Sequence, residues 1–182
     1  MFIARQKRKE NIAEYLLYMW QMEDLIRSFK CDIEAIDKYI ISQFPEAQRA
    51  EEREWIEGLI TMMQLENKKE GGHLQVHNNA LLLLAELHQQ LLKSDKFPEY
   101  AAEFYRTLPI IVDLRSRSQG SQVGELETCF NALYGTLLLK LQGKTISEGT
   151  QKAMLQVSKF IAMLAALFKK NEEEPLFKDD EV

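Results

Sequence analysis

Residues that interrupt helices are scarce in this chain: of 182 residues, 8 are glycine and 4 are proline. That scarcity excludes collagen-like and low-complexity classes and leaves few points at which a helix must stop. Cysteine is scarcer still. Cys31 and Cys129 lie far apart in apolar surroundings, without the spacing of a zinc site or a redox pair, and are read as reduced, buried thiols. Long apolar runs are also missing. The longest, Ala80 to Ala85, falls far short of the roughly 20 residues that span a bilayer. Glu10 and Glu14 break up any apolar signal core behind the basic start. A cytoplasmic protein without a membrane span is expected.

Excess positive charge is absent as well. A formal net charge of -5 argues against a general nucleic-acid partner, because phosphate affinity rests on Lys and Arg releasing counterions. There is no glycine-rich phosphate loop with its lysine, no nucleophile elbow and no His-Glu-x-x-His. No catalytic residue, cofactor or metal is assigned.

What is present is helix. Apolar residues make up 46% of the chain, and Leu, Ala, Glu, Lys, Gln and Met dominate, side chains that lose little rotamer freedom in a helix. About seven segments repeat apolar residues every three or four positions, with no strand alternation. The first, near Phe2 to Phe29, aligns Ile12, Tyr15, Leu16, Met19, Met22 and Ile26. Asp32 caps a short second helix that Pro45 ends; a third runs from Pro45 to Gly71-Gly72. The fourth, His73 to Leu92, is apolar nearly all round, and is expected to be central. A fifth starts at Pro98, with a kink or break at Pro109, and Arg115 to Gly124 reads as a mobile loop. A sixth covers Glu125 to Leu141, with Gly143 as its stop; a seventh follows the cap Ser147. The expectation is an all-α, single-domain bundle of about six to seven antiparallel-type helices over residues 1–171, followed by a frayed acidic tail over residues 172–182.

Several residues break the pattern. Glu23 falls between Met19 and Ile26 inside the apolar stripe, where an unpaired charge is costly. Either it is a buried acid with a raised pKa that lines a pocket, or it sits at a helix edge facing a structural cation. His73 and His77 are one helical turn apart, a spacing that can grip a metal, with His88 about 16 Å further along the axis. A third ligand would have to be a carboxylate from another helix; boundary histidines are the plainer reading. Tyr15, Tyr18 and Trp20 point in different directions, so at least one is expected near a surface or an interface, and homodimer packing through the first helix would use them. Arg5, Lys7, Arg8 and Lys9 could touch an anionic surface, although a solvated helix face is the plainer reading. Arg115 and Arg117 read as phosphate contacts or as a polar loop.

The segments Ile3-Ala4, Glu10 through Gln21, Glu23-Asp24 and Ile26-Arg27 resemble the opening of an uncharacterised bacterial family of soluble helical proteins, classed as a domain of unknown function. The resemblance implies compartment and fold, and carries no mechanism. Function is expected to be that of a non-catalytic interaction or scaffold protein, self-associating or binding a protein partner. The alternative is a small-molecule-binding or metal-dependent protein with a polar inter-helix pocket around Glu23 and His77.

Overall fold

The computed structural model describes residues 1–117 and 123–177. Within them the chain is all-α: α1 (Phe2–Glu10), α2 (Ile12–Ser28), α3 (Ile33–Tyr39), a 3-10 turn over Ile41–Gln43, α4 (Glu46–Leu65), α5 (Gln75–Lys93), α6 (Pro98–Arg117), α7 (Glu125–Leu141) and α8 (Glu148–Glu173). The expected first helix is therefore two. At Asn11 the side-chain oxygen accepts the Ala13 N–H at 3.0 Å, a local bond that competes with the helical one and restarts the helix.

Caps explain most of the remaining boundaries. Asp32 accepts the Glu34 and Ala35 N–H groups at 3.0 and 3.3 Å, and Ser147 accepts that of Thr150 at 3.2 Å, as the sequence predicts. Three helices end in the same left-handed cap, in which one N–H reaches back across the last turn. After α7 the left-handed residue is Gly143 (φ 67°), with Lys144 N–H on Leu139 O at 3.0 Å. After α4 it is Asn67 (φ 56°), with Lys68 N–H on Met63 O at 2.7 Å. The predicted stop at Gly71-Gly72 therefore comes too late, because asparagine also tolerates this conformation. After α2 it is Lys30 (φ 54°), with Cys31 N–H on Ile26 O at 3.0 Å. Pro109 lies within α6 without interrupting it, so no break occurs there.

The fold gathers into two compact units, one of residues 1–10 and 14–80, the other of residues 11–13 and from 81 onward. The second boundary falls inside α5 rather than in a linker, which is why sequence composition gives no sign of it. The core of the first unit joins Met19 and Ile26 of α2, Ile36 of α3, Ile56, Leu59 and Met63 of α4, and Leu74 just ahead of α5. Each such side chain contributes about 1.5–3 kcal/mol on burial.

The second unit is built on aromatic rings. Phe104 of α6 and Phe160 of α8 lie 5.6 Å apart, and His88 of α5 meets them edge-on at 4.8 and 5.8 Å. His88 Nδ1 shares a 2.6 Å hydrogen bond with the Tyr100 hydroxyl. Among the described residues its Nε2 has no hydrogen-bond partner, and it lies 3.7 Å from Glu125 Oε2. Glu103 of α6 joins α8 by accepting hydrogen bonds from Gln156 at 2.9 Å and Lys159 at 3.1 Å. In this unit the apolar surface of α5 is not buried all the way round: Leu82 and Leu83 are 57% and 49% exposed.

Arg115 and Arg117 belong to α6 rather than to a loop. Arg115 donates to Val123 O at 2.5 Å and Arg117 to Asp113 at 3.0 Å. The rest of the expected mobile loop, residues 118–122, lies outside the described residues, as do residues 178–182 of the tail. Before that point α8 runs to Glu173, Asn171 accepts the Leu176 N–H at 2.9 Å, and the Phe177 ring sits 5.7 Å from Phe97. Among the described residues no helix is long and apolar enough to cross a membrane.

Candidate functional site

The site begins with the carboxylate that sequence periodicity places in an apolar stripe. Glu23 of α2 is 0% exposed, between Met19 and Ile26 on the inward face. An isolated charge there would cost several kcal/mol, so partners are required. They come from the connector between α4 and α5, and from the first turn of α5. His77 Nδ1 is 2.6 Å from Glu23 Oε1, and His73 Nδ1 is 2.7 Å from Oε2. The Leu74 N–H donates to Oε1 at 3.0 Å.

The local reason is the open start of α5. The first N–H groups of a helix have no intrahelical acceptor and carry the positive end of its dipole. Two carboxylates supply what is missing: Glu23 takes the Leu74 N–H, and Glu66 takes that of Gln75 at 2.7 Å. His73 therefore precedes the helix rather than starting it, and the two imidazoles converge on Glu23 from a bend and a first turn, not from successive turns of one helix.

Arg27, one turn beyond Glu23 on α2, holds the connector in place. It donates to Lys68 O at 3.1 Å, to Gly72 O, and to Asp24 at 2.6 Å, and its guanidinium lies 3.7 Å from Glu23 Oε2. Gly72 turns the chain at φ +76°, where a side chain would be strained.

Burial is the largest single influence on Glu23 and pushes its pKa up. The hydrogen bonds from His73, His77 and the Leu74 N–H, together with the field of the His77 ring, outweigh it and hold the carboxyl at about 2. Glu23 thus combines parts of the two expectations: it is a buried acid, but with a lowered pKa, and an arginine, Arg27, joins the two imidazoles as its partner.

Because an ionised carboxylate only accepts, Nδ1 of each ring carries a proton and donates it to the Glu23 hydrogen bond. The same device orients histidines that act as bases or bind metals. Here the two imidazoles contact the carboxylate directly, at 2.6 and 2.7 Å, which leaves no room for an ion between them. Among the described residues no group of three or more His, Cys, Asp or Glu has a metal-binding arrangement.

Aromatic rings flank the pair. Trp20 stacks on His73, with centroids 3.9 Å apart and planes 11° apart, and Tyr15 meets His77 edge-on at 5.9 Å. Trp20 is 2% exposed. As a candidate interface residue it is corrected: it is core, because the stack on His73 turns it inward. Tyr15 and Tyr18 are half-buried, and burial pushes both phenols up. Both pack on the unit's core, and Tyr15 also lines a cleft.

That cleft, about 500 Å³ in volume, has His77 in its wall. Its floor is apolar, made by Met19, Trp55, Leu59, Met62 and Val76. Its rim is α1, which contributes Arg5, Arg8 and Lys9. With Met1 and Ala4, which also line the cleft, these fall at intervals of three, one, three and one, a single helical face. Lys7 is turned away and pairs with Glu14 at 2.8 Å. The sequence showed the basic run but not its division, although the periodicity that divides it was available.

Among the described residues no Ser, Thr or Cys lines the cleft, and the hydroxyl it does carry is the phenol of Tyr15. Comparison with curated proteins and with solved structures finds no match. A family model described as a domain of unknown function (DUF4924) matches residues 1–175, which takes in both units. The chain belongs to the DUF4924 family.

Proposed function

We propose that this protein is a small-molecule-binding protein whose site is the cleft of the first unit, with His77 as the polar anchor that Glu23 holds in place. The observation that carries the reading is the buried Glu23–His77 contact of 2.6 Å behind an open cleft of about 500 Å³. Ligand sites combine an apolar lining with a few fixed polar groups, in clefts of roughly 300–1,000 Å³. An anchor fixed by a buried carboxylate loses little freedom when a ligand arrives. A reducing, cytoplasmic setting accords with two unpaired thiols, Cys31 and Cys129. Self-association through the first helix, the other expectation, loses Trp20 as a contact because that ring is buried.

The test is titration with N-phenyl-1-naphthylamine, a neutral apolar dye that brightens in apolar clefts. Wild-type protein should bind it saturably and shift the His77 ring signals in NMR. Val76→Trp, at a position 48% exposed, should block the cleft without altering circular dichroism or Tm. Equal dye binding by the variant, or dye binding that leaves His77 unmoved, would overturn the reading.

A further inference from the structure

Taking that cleft as the ligand site, on which this step rests, we infer that its ligand is an anionic amphiphile: a carboxylate or phosphate carried on an apolar body. Arg5, Arg8 and Lys9 lie together on the rim, and no Asp or Glu lines the cleft. In a protein with a formal net charge of -5, the side chains that line this cavity include three cations and no acid, although Glu23, Glu51 and Glu52 stand behind them. Clefts lined by one sign of charge concentrate ligands of the other.

The rest of the lining fixes the other half of the molecule. Met19, Trp55 and Leu59 present an apolar floor, where a free inorganic anion would gain nothing. Trp55 and the flexible thioethers of Met19 and Met62 suit an alkyl or aryl body of variable shape. The two arginines offer planar forks matched to carboxylate or phosphate oxygens. The Met1 amino group, also on the lining, pairs with Glu52, whereas Arg5 meets Glu51 only at 3.9 Å, with both of those side chains more than half exposed. Such a pair is weak and exchanges readily with a ligand anion. The basic run, whose plainer reading from sequence is a solvated helix face, thus has a stereochemical division of labour: Lys7 faces Glu14, and the other three line the cleft.

The experiment displaces N-phenyl-1-naphthylamine with decanoate, decyl phosphate, decyltrimethylammonium and inorganic phosphate. Decanoate or decyl phosphate should displace it about tenfold or more effectively than the cationic decyl compound, and inorganic phosphate should not displace it. Which of the two acids is stronger distinguishes a carboxylate from a phosphate head. The advantage should shrink as salt rises, since exposed charges are screened. Arg5→Gln/Arg8→Gln/Lys9→Gln should lose the preference for the anion, read as the ratio of decanoate to decyltrimethylammonium needed to displace the dye from the same variant. If the dye binds but anion and cation compete equally, the ligand class is wrong and the cleft reading stands. If the dye does not bind saturably, the cleft reading itself fails. A triple variant that keeps the full anion preference also overturns the inference.

Discussion

Replacing Glu23 by glutamine should cost more stability at pH 7 than at pH 3, and the difference can be worked from the site. Folding holds this carboxyl at about 2 against an ordinary 4.5. With each tenfold change worth about 1.4 kcal/mol, the ionised form stabilises the fold by about 3 kcal/mol. Because the folded pKa is the lower one, the contribution is fully present above pH 4.5 and disappears as pH falls through 2. Glu23→Gln keeps size and shape but removes the charge, so it should lose about 3 kcal/mol at pH 7 and progressively less below pH 4.5. The assay is urea unfolding of both proteins by circular dichroism from pH 7 to pH 2.5, read as the difference between them. Taking the difference cancels the titration of every other carboxylate whose environment the variant leaves alone. If the gap between the proteins is the same at pH 7 and pH 3, Glu23 is not an ionised clasp and the account of the site is refuted.

Three further outcomes follow from neighbouring contacts. Arg27→Lys keeps the charge but cannot bridge Lys68 O, Gly72 O and Asp24 at once; it should cost about 1–2 kcal/mol and speed amide exchange over residues 68–74, and unchanged exchange would remove Arg27 as the brace. Asn67→Ala should destabilise by about 1 kcal/mol because φ is 56° there, while Asn67→Gly should be neutral or better in the same unfolding assay. Burial, aided by the charge on Glu125, pushes the Cys129 thiol up to about 12. A disulfide reagent at pH 8 should therefore label at most Cys31 in the folded protein and both thiols in denaturant; rapid labelling of two thiols in the native state would contradict that burial.

Helix was legible wherever one face carried the signal. The period of α8 and the caps at Asp32, Gly143 and Ser147 are local properties, set by residues within one turn of each other. Asn11 and Asn67 were not read because asparagine is ambiguous: it caps, turns or continues a helix according to what its side chain finds. Glu23 stood out for the right physical reason, a charge in an apolar stripe, and so did the spacing of His73 and His77. Their meeting did not, because nothing in a sequence pairs positions 50 and 54 residues apart. Trp20 misled for the same reason: on a helical wheel it lies at the edge of the apolar face, and the His73 ring stacked on it comes from 53 residues further along the chain.

The two tryptophans of the chain have a practical corollary. Trp20 lies flat on His73 and Trp55 forms part of the cleft floor, so their indoles sample different events. An imidazole that gains a proton quenches an indole stacked on it, whereas a ligand entering the cleft changes the polarity around the other. Trp20→Phe and Trp55→Phe thus turn one protein into two single-channel fluorescence sensors, one for the carboxylate clasp and one for occupancy. Whether the two signals move together on adding ligand measures directly how tightly binding is coupled to the clasp.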